Sequence, residues 1–251
     1  MARMSASRPP VLFLHSFPLD ARMWSAQVDA LTVAGWTALT PDLPGFGSSP
    51  LPGPDVTPRL DVYVGAAARA LEGRGPAVVV GLSLGGYVAF RLLAKHRRLV
   101  RALVLADTRA AGDSPEAKAG RIVNSSLVTR HGVGALVEKM LPMLVAPTSP
   151  QPARERVRAL GGEQKPAAVS FALLAMRDRA DATPALAGID VPTLFVAGEH
   201  DAITPVAEHA AMAAQVPGAR LVTIPGAGHM SNLEAPDAFN RALLDFLATL
   251  R

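Results

Sequence analysis

The 251-residue sequence contains no cysteine. That excludes disulfide bonds, a thiolate nucleophile and cysteine-ligated metal sites. Long apolar runs are missing too. No segment approaches the ~20 residues that cross a bilayer, and Val11 to Leu14 is too brief for a signal-peptide core. The expectation is a cytoplasmic protein with no membrane partner. Aromatic residues make up 5% of the chain and are not interleaved with basic ones. The formal net charge of +4 is carried by scattered side chains, with Arg97-Arg98 the one adjacent basic pair. A solvated basic surface accounts for that pattern better than a nucleic-acid site. No H-E-x-x-H or other close metal-ligand spacing occurs. No Gly-Lys-Ser/Thr follows the Gly45 to Ser49 loop, and the glycines from Gly81 to Gly86 are wrongly spaced for a dinucleotide fingerprint. Neither a cofactor nor a metal is expected.

What the chain does have is apolar content, 49% of its residues, enough to bury a sizeable core. Short apolar runs alternate with helical patterns. Val11 to Leu14 reads as a buried strand, Met23 to Ala34 as an amphipathic helix stopped by Gly35, and Trp36 to Leu39 as a second strand. Pro41 to Ser49 is loop chemistry. A helix over Leu60 to Leu71 leads to a β-branched strand at Val78 to Val80, a helix to about His96, and a strand over Val100 to Ala106. This regular alternation predicts an α/β fold, a mostly parallel doubly wound sheet with helices on both faces. From 110 to 187 the alternation breaks into helical patterns alone (117–127, 133–141, 152–160 and 167–177), punctuated by Pro142, Pro147, Pro150 and Pro152. A helical cap inserted after the strand ending at Asp107 is the expectation, with a core made of 1–109 and 188–251. The alternation resumes with a strand at Thr193 to Ala197, a helix from Pro205, a strand at Arg220 to Ile224 and a final helix from Pro236.

The chemistry centres on Gly81-Leu82-Ser83-Leu84-Gly85. A serine between two glycines at a strand-to-helix turn is the nucleophile elbow, where a side chain on either glycine would crowd the meeting of strand and helix. Taken alone, the five residues also fit an ordinary glycine-rich turn. The later strands decide between the two. One ends at Gly198-Glu199-His200-Asp201 and the other at Pro225-Gly226-Ala227-Gly228-His229. In a parallel sheet all three loops open on the same edge, in the chain order Ser, Asp, His. Serine needs an imidazole to take its proton, and the imidazole needs a carboxylate to fix its tautomer. Ser83 is assigned as nucleophile, His229 as general base then acid, and Asp201 as orienter, with Asp107 as the reserve carboxylate. His96, His131, His200 and His209 read as surface residues.

With these motifs the chain resembles the α/β-hydrolase fold superfamily, of the small lidded serine esterase and lactonase type. The resemblance also takes in His15-Ser16-Phe17-Pro18, Pro41 to Ser49, and Asn232-Leu233-Glu234 after His229, and leaves only the cap unmatched. It implies a carboxylic ester or lactone substrate and an acyl-enzyme. It places the oxyanion between the amides of Phe17 and Leu84, with His15 bracing the loop. Ser16 stands where glycine is common, either crowding the turn or adding a hydrogen bond. The short N-terminus implies that the usual opening antiparallel strands are shortened or missing. Under the cap, Met140, Met143, Leu173, Met176 and Met230, with His15, are the candidate lining of an acyl pocket, and Arg109 is a candidate contact for an anionic substrate. Serine at the elbow excludes dehalogenase-like and epoxide-hydrolase-like chemistry. Thioester or carbon–carbon bond cleavage, cofactor-free perhydrolysis (Pro18 follows Phe17) and a low-turnover receptor stay open as alternatives.

Overall fold

The computed structural model describes residues 8–250. Six strands form one sheet: β1 (Val11–Leu14), β2 (Ala38–Leu39), β3 (Ala77–Leu82), β4 (Val100–Ala106), β5 (Thr193–Gly198) and β6 (Arg220–Ile224). Their order is β2-β1-β3-β4-β5-β6, and every neighbouring pair is parallel. No opening antiparallel strand occurs among the described residues. The register runs straight across the centre: Phe13 lies beside Val80, Val80 beside Val104, and Val104 beside Leu194.

Nine α-helices accompany the strands among the described residues: α1 (Ser25–Val33), α2 (Leu60–Ala70), α3 (Leu84–Lys95), α4 (Pro115–Leu144), α5 (Gln151–Gly162), α6 (Pro166–Arg177), α7 (Val206–Ala213), α8 (Ser231–Glu234) and α9 (Pro236–Ala248). Side chains alternate across a strand, so each strand feeds two cores. Leu12, Val79, Leu103 and Phe195 meet α2, α3 and α7 through Tyr63, Val88, Leu92 and Met212. Phe13, Val80, Val104 and Val196 meet α1 and α9 through Leu31, Phe239 and Phe246, with Trp24 packed between. Burial on both faces explains why the central strands read as unbroken apolar runs rather than alternating ones.

The local departures from the sequence reading have local causes. The first helix begins with a tight 3₁₀ turn, Ala21–Trp24, because the Asp20 carboxylate accepts from the Arg22 amide and caps it there. The edge strand shrinks to Ala38–Leu39: Trp36 is still turning out of α1, its N–H bonded to Leu31 O. The helical patterns over 117–127 and 133–141 are two helical stretches within α4, as the sequence reading has them, divided at Gly132 (φ 79°, ψ 171°), a conformation only glycine takes readily.

The α4–α6 segment leaves the sheet after β4 and returns before β5, and one buried arginine pins both connections. Arg179 pairs with Asp113 at 2.5 Å, donates to the carbonyls of Ala111 and Met176, and lies 4.0 Å over the Tyr87 ring of α3. Burial would raise the Asp113 carboxyl, but the hydrogen bond from Arg121 and the two guanidinium charges bring it below the usual carboxylate range.

Candidate active site

The chain reverses its direction of progress across the sheet between β1 and β3: β2 lies on one side of β1 and β3 on the other. In open α/β sheets the crevice at such a switch point is where ligands bind. The loops that follow β1 and β3 both rise there, carrying Phe17 and Ser83.

Ser83 sits at φ 53°, ψ −110°, a strained conformation for a residue with a side chain. Three donors hold it from below: Thr108 Oγ1 (2.8 Å), the Gly86 amide (2.9 Å) and the Tyr87 amide (3.2 Å) all reach the Ser83 carbonyl oxygen. The flanking glycines are sterically required. A Cβ on Gly85 would stand 2.0 Å from the Leu14 carbonyl oxygen, and one on Gly81 would stand 2.3 Å from that of Gly85.

From Ser83 a continuous hydrogen-bonded chain runs to β5. Ser83 Oγ lies 2.9 Å from His229 Nε2, and His229 Nδ1 lies 2.9 Å and 3.0 Å from the two carboxylate oxygens of Asp201. With Nδ1–H donating to Asp201, Nε2 is left free to accept from the serine hydroxyl. Asp201 also accepts from the Ile203 amide (2.8 Å), the Thr204 amide (2.9 Å) and the Thr204 hydroxyl (2.6 Å). Burial alone would raise its pKa, but the charge and hydrogen bond of His229 and the Thr204 donors outweigh it and bring the pKa to about 2. All three side chains are nearly closed off from solvent, and His229 is 1% exposed.

Neither the Phe17 nor the Leu84 amide donates to another protein group among the described residues. His15 anchors the loop before Phe17. Its Nε2 accepts from the Leu43 amide at 2.9 Å and its Nδ1–H donates to Ser16 O at 3.0 Å. Burial lowers its pKa and keeps it neutral, as that pattern requires. Both ring nitrogens are occupied, so it offers no polar group to a pocket and braces two loops instead. Ser16 adds a hydrogen bond to Phe17 O at 3.2 Å, and its amide reaches Met23 Sδ.

Several other residues stand differently from expectation. Met143 is 43% exposed and faces away from the interior, so it lines no pocket. Met140 lies on the seam between the two cores, Leu173 and Met176 are buried on the α3 side, and Met230 is buried on the opposite side. His209 is not at the surface but fully buried: α7 packs against the sheet, and His209 Nε2 accepts from the Thr108 amide at 3.1 Å. Arg109 is held by the Ile203 carbonyl and by Glu208 at 3.1 Å. A cavity of about 710 Å³ is lined by none of Ser83, Asp201 and His229. It runs beside α3, lined by Leu60, Tyr87, Phe90, Arg109, Arg179 and Ile189 among others.

Two carboxylates carry more than the sequence showed. Glu234 accepts from the amides of Gly228 (3.0 Å) and Met230 (3.2 Å) on either side of His229, and from Ala146 (2.8 Å) beyond α4. Its spacing of five residues from His229 was the available signal. Asp107 does not reach His229. It accepts from the Gly198 amide at 2.8 Å and from the Ser231 hydroxyl. No group of three or more His, Cys, Asp or Glu residues suited to a metal ion occurs among the described residues.

The family model described as "Alpha/beta hydrolase family" matches residues 11–242. The chain belongs to the alpha/beta hydrolase family. Over 247 residues this hydrolase is 33% identical to the pimeloyl-[acyl-carrier protein] methyl ester esterase of Neisseria meningitidis serogroup C, covering 94% of this chain and 93% of that one. Among solved structures it is similar to a thermophilic esterase from Thermogutta terrifontis, with a TM-score of 0.91 and 36% identity, covering 96% and 90% of the two chains. It is also similar to a hydrolase from Pseudomonas aeruginosa, with a TM-score of 0.87 and 31% identity over 98% and 92%. The Neisseria meningitidis and Thermogutta terrifontis relatives are both named as esterases. None of its helices, among the described residues, is long and apolar enough to cross a membrane.

Proposed function

We propose that the protein cleaves a carboxylic ester of a small to medium, largely apolar acyl group through an acyl-enzyme on Ser83. The observation that carries this reading is the unbroken hydrogen-bonded chain Ser83–His229–Asp201. His229 Nε2 takes the hydroxyl proton as Ser83 Oγ attacks the ester carbonyl carbon. The carbonyl oxygen becomes an oxyanion received by the Phe17 and Leu84 amides, at the N-terminus of α3 where the helix dipole also favours negative charge. The imidazolium, steadied by Asp201, gives its proton to the departing alcohol oxygen. Water then repeats the sequence: His229 removes its proton, hydroxide oxygen adds to the acyl carbon, and the acid leaves as Ser83 regains its proton. Residues 110–187 serve as a cap over this edge of a core formed by 1–109 and 188–251, with Met140, Leu173, Met176 and Met230 toward the acyl chain. The Neisseria meningitidis relative is named as a methyl ester esterase, which favours a small alcohol leaving group here too.

The test is hydrolysis of p-nitrophenyl esters from acetate to decanoate, together with methyl esters of the preferred acid, by wild type and Ser83→Ala. Serine-dependent turnover with a clear chain-length optimum is the expected result. Turnover by Ser83→Ala within a few-fold of wild type would refute the mechanism. A folded wild type that hydrolyses lactones but no open-chain ester would overturn the substrate assignment alone.

A further inference from the structure

Asp107 is a buried carboxyl that the proposed reaction does not use. It ends β4 in a left-handed conformation (φ 43°) and is fully buried. Its oxygens bridge the end of β5, through the Gly198 amide, to the first residue of α8, through the Ser231 side chain. Among the described residues no cation pairs with it. Arg109, two residues on, is engaged by Glu208 and the Ile203 carbonyl. His209 on α7 is spent on the Thr108 amide, and burial keeps it neutral. His229 turns its Nδ1–H to Asp201. Glu234 of α8 is satisfied by three backbone amides, and Glu199 of the β5 loop takes the Gly226 amide at 2.8 Å. The charge that acts on Asp107 is that of Asp201, of the same sign.

The geometry points to an Asp107 that carries its proton at neutral pH, shared with Ser231, making it a positioning residue that ties β4, β5 and α8 together while leaving a single negative charge beside His229. A buried carboxyl without a cationic partner ionises only at a large desolvation penalty, and a second carboxylate nearby adds to it. Burial first, and the Asp201 charge second, hold this carboxyl well above the usual carboxylate range, against the opposing hydrogen bonds from Ser231 and Gly198. The neutral acid suits its contacts. One oxygen accepts from Gly198, and the other meets Ser231 Oγ, where the rotatable Ser231 hydroxyl can turn its hydrogen away and accept from the carboxylic acid instead of donating to it. Ionisation would place a second negative charge beside that of Asp201.

The inference rests on the triad reading only for its kinetic arm. Asp107→Asn reproduces the neutral acid, with one acceptor, one donor and tolerance of left-handed backbone. In infrared difference spectra of wild type minus Asp107→Asn at pH 7, a protonated carboxylic acid band is expected, and its absence would overturn the inference. Unfolding measurements give a second, activity-independent readout. A carboxyl whose folded pKa is raised loses relative stability as pH climbs above its unfolded value near 4. Asp107→Asn should therefore gain on wild type between pH 4 and 7; an unchanged difference over that range would mean Asp107 is ionised in the fold and overturn the inference. In the kinetic arm, the acid limb of kcat/KM should stay in place in Asp107→Asn, whereas an ionised Asp107 would make it fall by on the order of one pH unit. Asp107→Ala, which leaves Gly198 and Ser231 without their partner, should lose on the order of tenfold in kcat, with Asn restoring most of it. If Ser83→Ala stayed active while the infrared band was present, the triad reading would fail and this inference would stand.

Discussion

Replacing Asp201 by asparagine separates the two tasks that the carboxylate performs. In the wild type four donors converge on it: His229 Nδ1–H, the Ile203 and Thr204 amides, and the Thr204 hydroxyl. An asparagine carbonyl can satisfy the two amides, but its NH₂ then faces His229 Nδ1. The imidazole must turn that nitrogen into an acceptor and carry its proton on Nε2, 2.9 Å from Ser83 Oγ, where an acceptor is needed. Loss of the correct tautomer in such triads lowers turnover by about 10⁴. The stability effect is smaller and has a defined pH window. A carboxyl at about 2 in the fold, against an unfolded value near 3.8, contributes about 2 kcal/mol. Because the folded value is depressed, that contribution is present above about pH 4 and disappears as pH falls through about 2. In a domain of this size, about 2 kcal/mol lowers Tm by roughly 4–8 °C at neutral pH. Steady-state hydrolysis of the best p-nitrophenyl ester, beside thermal unfolding at pH 7, measures both. A variant with kcat/KM within about tenfold of wild type would refute the assignment of Asp201 as orienter.

Other substitutions probe the supports. Gly85→Ala drives a Cβ to 2.0 Å from the Leu14 carbonyl oxygen, so strand and helix must separate. The soluble, cooperatively folding fraction should collapse, whereas Gly120→Ala, in the open on α4, should stabilise by about 0.5–1 kcal/mol in urea unfolding. Glu234→Gln puts an NH₂ group among the amides of Gly228, Met230 and Ala146. A loss of about 1–3 kcal/mol in denaturant unfolding is expected, together with lower kcat, because two of those amides flank His229; an unchanged midpoint and kcat would show that Glu234 braces nothing.

The sequence by itself determined the order of strands and helices, the parallel sheet, and the residue types Ser, Asp and His at three strand ends. These signals are short-range: an apolar run, a glycine pair or a proline acts on its immediate neighbours, and a parallel sheet sends every strand end to one edge. The all-helical stretch after β4 was legible for the same reason, and so was its division near Gly132. What only the tertiary structure decided depends on partners far along the chain. Asp107 and Asp201 are both aspartates at strand ends, and the choice between them turned on which one meets His229 and which one meets Ser231. His209 lies in an unremarkable helical pattern, yet α7 buries it against Thr108, about a hundred residues earlier. Met143 and Met140 are three positions apart on one helix, and packing leaves the first exposed and seats the second between the two cores. The cavity beside α3 is lined by Tyr87 and Arg179, the second of which returns from α6 to stack on the first and pair with Asp113. Periodicity identifies the face of an element that is buried, and only assembly of the whole chain supplies the atoms that face it.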